Sequence, residues 1–193
     1  MTERATSDIA AWTDESARGV LSFWFDDVGP KGWFGGGPEL DRAITERYAA
    51  LHGVVRATAD EHLLGNADKA LAAVLVLDQF SRQIYRGSAE AFASDAKAVT
   101  LATAALARKF DAAVLPARRI FFYLPFEHAE DLALQDRAVA LISQLGDETY
   151  TRYAIAHRDV IARFGRFPHR NAALGRRSTE VERAYLAQPG SGF

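Results

Sequence analysis

Asp78 and Arg82 interrupt an otherwise apolar helical stripe. With Tyr85 and two preceding leucines they follow a three- and four-residue spacing, which places them on one face of a helix. A second face of the same segment is apolar throughout, so both charges are expected to be enclosed and to pair. The pair is either a structural salt bridge or part of a site, and Gln79 belongs to the same candidate set.

A histidine lies among acidic residues in the segment LPFEHAED. Glu127, Glu130 and Asp131 are expected in a first helical turn, where negative charge stabilises the helix. That explanation does not cover His128. It is a candidate general base, oriented by Asp131 at three-residue spacing or by Asp78.

His157 lies on the apolar face of a predicted helix over 149–164. A histidine there is either a hydrogen-bonded core residue or a second candidate general base. A site built on either base would use arginine to stabilise the negative charge that develops in a reaction. Hydrolysis or elimination on an acidic substrate suits these groups.

Arginines cluster without any acid in the segment RFGRFPHRN and just beyond it. A glycine and a proline bend the chain there, so the side chains are expected to converge, and arginine forks recognise carboxylate or phosphate. The alternative is that they pair with acids elsewhere in the protein. The candidate ligands here are Arg163, Arg166, His169, Arg170 and Asn171.

The remaining motifs exclude several classes of site. Cysteine is absent, which excludes disulfides, thiolate zinc sites, iron–sulfur clusters and a cysteine nucleophile. There is no HExxH motif, no GxSxG elbow, and the GGG run lacks the lysine of a phosphate loop. His128 and Asp131 form only a single spaced pair, so no metal site and no cofactor is predicted.

The elements that must position these residues are helical almost throughout. Alanine occurs 36 times and proline only six times in 193 residues, and no run alternates like a strand. We expect a single all-α domain over 1–193 of about 8–9 helices, with flexible ends at 1–7 and 188–193. The predicted helices span 7–25, 39–64, 67–85, 89–110, 116–124, 126–145 and 149–164, and a short one follows the capping box at Thr179. We expect Asn66 to cap the third helix, Pro125 to break or kink the fifth and Gly165 to end the seventh, and 26–38 is predicted to be a loop.

Net charge is −2, divided as −7 over residues 1–150 and +5 over 151–193. This balance argues against nucleic-acid binding. The amino terminus lacks the apolar core of a secretory signal, and no apolar run is long enough to span a membrane. The cytoplasm is the expected compartment, no membrane partner is expected, and the oligomeric state is left open.

The bacterial domain-of-unknown-function family numbered 924 is resembled by four strings of this sequence: FWFDD…GWFGGGPELD, LVLDQFSRQIYRGSAEAFASDAKAV, RRIFFYLPFEHAEDLALQDRAVALI and HRDVIARFGRFPHRNAALGRRSTEVERAYL. The resemblance runs in order from about Val20 to Leu186. It implies a tetratricopeptide-like stack of antiparallel helical hairpins and no established activity. The chain departs from the family pattern at Ser81 and Gln83, where proline and asparagine are common, and at Asp26, where glycine is common.

Three functional hypotheses follow. The first is binding of a small anion or a peptide carboxylate in a polar pocket, with Trp33 and Phe34 of the predicted loop as a cover. The second is an enzyme of the hydrolase or lyase type with His128 or His157 as general base and Asp131 or Asp78 orienting it. The third is an interaction scaffold in which the polar residues only join helices. The pocket of the first would be lined by Asp78, Gln79, Arg82, Tyr85, His128, Asp131, Arg163, Arg166, His169, Arg170 and Asn171.

Overall fold

A computed structural model describes residues 12–192, and within that range the protein is helical with no strand. The all-α prediction is confirmed. The α-helices span Asp14–Ser22 (α1), Gly29–Trp33 (α2), Pro38–Ala57 (α3), Asp60–Leu63 (α4), Ala67–Val74 (α5), Ser81–Ile84 (α6), Asp95–Ala107 (α7), Phe110–Ala113 (α8), Ile120–Glu127 (α9), Leu132–Ser143 (α10), Glu148–Phe164 (α11) and Glu180–Leu186 (α12).

Two π-helical segments join α-helices without a break. Phe23–Val28 connects α1 to α2, and Leu75–Phe80 connects α5 to α6. With each joined pair taken as one, the described residues form ten α-helices, slightly more than predicted. Short 3-10 turns add Ala89–Phe92, Pro116–Arg118 and Pro168–Arg170.

The predicted loop over 26–38 is largely helical, and that prediction is wrong. Gly29 takes a positive φ of 65° and Pro30 follows in the first turn of α2, where a missing N–H costs nothing. Trp33 is buried at the end of α2, and its Nε1 donates to the backbone oxygen of Trp24 at 2.8 Å. Burial of this aromatic side chain outweighs the local glycine and proline signals, and only residues 34–37 leave the helix.

Other boundaries also differ from the predicted ones. The helix expected over 39–64 divides at Thr58, and the helix expected over 126–145 begins only at Leu132. Pro125 does not break the preceding helix, because every residue of α9 is buried and that packing offsets the lost hydrogen bond. The cap at Asn66 and the capping box at Thr179 are confirmed.

The core is built around large aromatic side chains and a fully buried helix. Residues 70–81 are buried without interruption, as expected for a helix covered on all sides. α5, the π segment after it, α7 and α9 pack against one another, and α10 packs between α9 and α11. The largest fully buried aromatics are Trp24, Phe80, Phe121, Phe122, Phe126 and Phe167.

The chain ends bear on two further predictions. The flexible end expected at 1–7 and the first helix start near Asp8 lie outside the described residues. Residues 188–190 form a bend and a turn, and the hydroxyl of Ser191 donates to the backbone oxygen of Leu186 at 3.1 Å. The single domain and the tetratricopeptide-like pairing stay predictions. None of the helices in residues 12–192 combines the length and the apolarity that a membrane crossing requires.

Candidate functional site

Asp78 and His128 are in direct contact at the centre of an enclosed polar cluster. Nδ1 of His128 lies 2.8 Å from Oδ1 and 3.0 Å from Oδ2 of Asp78. Nε2 of Gln79 donates to the same carboxylate at 2.6 Å. Asp78 is 1% exposed, so its ionised form depends on these partners.

A π-helical segment positions Asp78, and the C-terminal end of a helix positions His128. Asp78 lies in the π-helical segment Leu75–Phe80, and such segments occur frequently at functional sites. His128 caps the C-terminus of α9, where its N–H bonds to the backbone oxygen of Leu124. The apolar residues around both positions are buried, so packing fixes the approach of the two side chains.

Arg82 joins Asp78 to an acid on another helix. Its guanidinium lies 3.6 Å from Asp78 and binds Asp95 through two bonds of 3.0 and 3.2 Å. The predicted pair of Asp78 and Arg82 is therefore present, but Asp95 is the closer partner. Arg170 also reaches Asp95, at 3.2 Å, and its guanidinium packs over the rings of Phe92 and Phe167.

Glu127 and His157 extend the cluster on the other side of His128. Nδ1 of His157 donates to the backbone oxygen of Tyr153 at 2.8 Å and lies 3.5 Å from Oε1 of Glu127. The rings of His128 and His157 are 6.2 Å apart between centroids. One potential metal-ligand atom of Glu127, His128 and His157 lies within 4.8 Å of each of the others.

Burial and charge set distinct protonation states for these groups. Burial opposes ionisation of Asp78, but His128 and Arg82 with the hydrogen bonds hold its pKa well below the usual range. Burial lowers the pKa of His128 despite Asp78, and lowers the pKa of His157 to about 3. Burial, with Asp78 nearby, raises the pKa of Glu127 to about 8. At neutral pH both imidazoles are thus neutral beside an ionised Asp78.

Asp131 and Arg163 lie outside the cluster. Asp131 was expected on the same helical face as His128, but it is the exposed N-cap of the next helix and accepts from the backbone N–H of Leu134 at 2.9 Å. It therefore caps α10 and does not orient His128. Arg163 is exposed, with its guanidinium over the ring of Phe164.

Most of the arginine-rich segment pairs with acids of the protein itself. Arg166 binds both carboxylate oxygens of Glu182, at 2.7 and 2.9 Å. Arg176 binds both oxygens of Glu130, at 2.6 and 2.9 Å. Asn171 accepts from Arg176 at 2.9 Å. These contacts favour the intramolecular explanation of the cluster over convergence on a ligand.

Four further residues were predicted to line or cover the pocket: Tyr85, His169, Trp33 and Phe34. The hydroxyl of Tyr85 lies 3.4 Å from Nδ1 of the buried His52, away from the Asp78 contacts. His169 is half-buried against the ring of Phe167. Trp33 belongs to the core, and Phe34 stacks on Phe121 6.2 Å away rather than on the polar cluster.

Two residues of the cluster were missed from the sequence. Asp95 begins α7 and Glu127 ends α9, so each looks like an ordinary acid near a helix terminus. For Glu127 a signal exists only once the helix end is placed after it. A carboxylate at a helix C-terminus opposes the macrodipole, so Glu127 does not stabilise α9 through its charge.

Three side chains of the cluster are partly exposed to solvent. The side chains of His128, Asp95 and Arg82 are 15%, 16% and 20% exposed. Surface grooves of about 380 and 540 Å³ lie elsewhere, one near Ile155 and one near Trp12. Neither groove is lined by residues of the Asp78–His128 cluster, so the candidate site is assigned from the contacts of the cluster and not from a groove.

Together the fold and this cluster define an all-helical protein with an enclosed carboxylate–histidine site. Residues 20–190 match the family described as "Bacterial protein of unknown function (DUF924)", and the chain belongs to that family. It is similar to the solved "Structure of Protein of Unknown Function ATU0120 from Agrobacterium tumefaciens". That likeness has 40% identity and a TM-score of 0.85, and it covers 90% of this chain and 97% of the other. A search of curated proteins found no match.

Proposed function

We propose that the protein is an enzyme of the hydrolase or lyase type in which His128 is the basic group. The observation that carries this is the contact between Nδ1 of His128 and the carboxylate of Asp78, at 2.8 and 3.0 Å. A carboxylate only accepts, so the proton of the neutral imidazole is on Nδ1 and Nε2 carries the lone pair. The same division of labour activates histidine in carboxylate–histidine hydrolases.

The proton balance is simple for both reaction types. In hydrolysis, Nε2 takes a proton from water while the water oxygen attacks the substrate, and the leaving group receives that proton afterwards. In elimination, Nε2 takes a proton from carbon, the electron pair of that C–H bond forms a double bond, and the leaving group departs with the electron pair of its own bond. The imidazolium then passes the proton to the leaving group or to water, which restores the neutral base. The limited exposure of His128 and Arg82 favours a small substrate.

Two arginines lie beside this base, and both are bound to Asp95, so they would act on negative charge that develops on the substrate through their electrostatic field and not through an open fork. Arg82 is within 3.6 Å of Asp78, and Arg170 shares Asp95 with it. Fixed guanidinium groups in an enclosed site stabilise such charge because they do not have to reorganise.

Simple anion binding is supported less well than catalysis. It depends on arginine forks that are open to a ligand, but Arg82, Arg166 and Arg176 each bind both oxygens of a carboxylate of the protein. The scaffold hypothesis is also less well supported. A polar network that only joins helices does not require a buried carboxylate that holds the histidine in the tautomer with its lone pair on Nε2.

A substrate screen tests the proposal. The purified chain is assayed on small esters, amides, phosphate monoesters and hydroxy acids, beside the variants His128→Gln and His62→Gln. His62 is exposed on α4 and serves as the matched control. We expect turnover by the wild type and the control and loss of it in folded His128→Gln. Equal turnover by all three would contradict the proposal.

A further inference from the structure

We infer that Gln135 is a positioning residue of the site, whose side-chain amide fixes the backbone that carries His128 and so holds the imidazole against Asp78. Gln135 lies one turn into α10 and is fully buried. Its Nε2 donates to the backbone oxygen of Glu127 at 2.5 Å and to that of Ala129 at 2.8 Å. The inference rests on the proposed function, which makes His128 the base, and adds the residue that places this base.

The backbone around His128 is the end of a helix and needs a donor from elsewhere. His128 lies where the chain leaves α9, and residues 128–131 are not helical. The last carbonyl groups of an α-helix have no backbone partner within the helix, so other donors must satisfy them. Pro125 removes one further hydrogen bond near this end of α9, because proline has no N–H. The amide of Gln135 supplies two donors to this stretch from the next helix.

The two hydrogen bonds lie on either side of His128 along the chain. The oxygen of Glu127 belongs to the peptide unit that enters His128, and the oxygen of Ala129 belongs to the second peptide unit after it. Because one buried side chain holds both, the direction of the Cα–Cβ bond of His128 is set. The ring then places Nδ1 2.8 Å from Oδ1 of Asp78. Gln135 thus fixes the histidine through its backbone, and Asp78 fixes it through its ring.

The orientation of the Gln135 amide follows from its partners. Both partners are backbone carbonyls, which only accept, so both bonds come from the N–H groups of Nε2. Oε1 of Gln135 is buried and has no hydrogen-bond partner within residues 12–192. The side chain therefore directs all of its hydrogen bonding in this part of the protein at the backbone around His128. A residue of similar shape without the donors removes these two contacts and no other hydrogen bond.

Precise placement of this kind matters for a general base. A proton is transferred only within hydrogen-bond distance, and a displacement of about 1 Å can lower a rate about 10²-fold. Without the two donors, the backbone at His128 gains freedom and the imidazole leaves the carboxylate of Asp78 for part of the time. The neutral ring then populates both tautomers, and the lone pair is no longer held on Nε2.

Nuclear magnetic resonance of the chain with ¹⁵N-labelled histidine tests this without a substrate. Long-range correlations between ring protons and ring nitrogens distinguish the two neutral tautomers, and His128→Gln assigns the signals of His128. We expect the Nδ1–H tautomer alone in the wild type and a mixture of both in Gln135→Met, which keeps an unbranched side chain but has no donor. His52 is the internal reference, since its ring lies between Tyr85 and Ser94, and its signals should not change.

Gln144→Met is the matched control for loss of a glutamine amide. Gln144 is the exposed C-cap of the same helix, and its Nε2 donates to the backbone oxygen of Ala140 at 2.9 Å. This variant should keep the wild-type signals of His128. Circular dichroism shows that each variant is folded. If Gln135→Met does not fold, Gln135→Asn takes its place, because it retains the amide but is one methylene shorter and cannot reach both carbonyls.

The outcomes separate this inference from the proposed function. Wild-type signals of His128 in the folded Gln135 variant overturn the inference, and so does an equal change at His52, which would mean that the whole core is loosened. Where the substrate screen finds turnover, kcat of Gln135→Met should fall about 10- to 100-fold while KM stays within about twofold. An unchanged kcat overturns the inference, and the proposed function then stands on His128→Gln. Mixed tautomers in the variant, with a screen that finds no turnover, leave the inference standing and the proposed function without support.

Discussion

Nδ1 of His128 lies 2.8 Å from Oδ1 of Asp78, although the two residues are 50 positions apart in the chain. The contact joins the π-helical segment between α5 and α6 to the end of α9. Asp78 is buried and the side chain of His128 is 15% exposed, and because a carboxylate only accepts, the hydrogen bond fixes the tautomer of the histidine as well as its position. The functional account depends on this relationship.

Asp78→Asn should destabilise the protein by about 1.5–3 kcal/mol, because it removes the charge from the hydrogen bond with His128 and from the neighbouring Arg82. Urea unfolding of the wild type and the variant measures this free energy. The matched control is Asp131→Asn, since asparagine caps a helix as well as aspartate does. Equal losses in the two variants would mean that the charge of Asp78 contributes no more to stability than the charge of an exposed carboxylate.

Glu182 should make stability depend on acidity below about pH 5. The bidentate Arg166 and the backbone N–H of Thr179 lower the pKa of Glu182 to about 2. A carboxyl whose folded pKa is depressed contributes stability above its unfolded pKa of about 4.3, and that contribution is lost as pH falls towards the folded value. The difference in unfolding midpoint between wild type and Glu182→Gln should therefore be constant above about pH 5 and shrink towards pH 2.

The control for that titration is Glu180→Gln, which removes an exposed acid from the same first turn of α12. The difference in unfolding midpoint between the wild type and Glu180→Gln should not shrink as the pH falls towards 2. A Glu182→Gln difference that stays the same down to pH 2 would show that the ion pair with Arg166 does not set the acid sensitivity.

Gly165→Ala should cost about 1–2 kcal/mol. Gly165 ends α11 with φ +67°, and an added Cβ would meet nothing within 4 Å, so the loss comes from the left-handed backbone alone. Gly53→Ala is the matched control, since Gly53 is exposed inside α3 with equally open space. That change should stabilise the protein by about 0.5–1 kcal/mol. Thermal unfolding of both should give shifts of opposite sign, and shifts of the same sign would contradict the assignment.

Local sequence signals located several helix ends but not the breaks that packing decides. The caps at Asn66 and Thr179 and the stop at Gly165 each depend on a hydrogen bond or backbone angle within a few residues, and all three are observed. Pro30 and Pro125 carried equally strong local signals, yet neither prevents a helix. Pro30 lies in the first turn of α2, where proline is tolerated, and Pro125 lies inside α9, where every residue is buried. Long-range burial overrides local preference, and one sequence does not show which segments will meet.

The candidate site, too, could be predicted from the sequence only in part. Spacing identified Asp78, Arg82 and His128, because polar residues on apolar helical faces are visible along one helix. It assigned Asp131 as one partner of His128, since the turn that separates α9 from α10 has no glycine to mark it. Asp95 and Glu127 join the cluster only through contacts between helices, and such contacts are not encoded in spacing along any one of them.

The value of kcat/KM for His128→Gln, on the substrate that the wild type turns over best, tests the proposed function most directly. Loss of a general base should lower it about 10²- to 10⁴-fold while the variant keeps the wild-type circular dichroism. His62→Gln should match the wild type. A folded His128→Gln variant with the wild-type value of kcat/KM would contradict the assignment of His128 as the basic group.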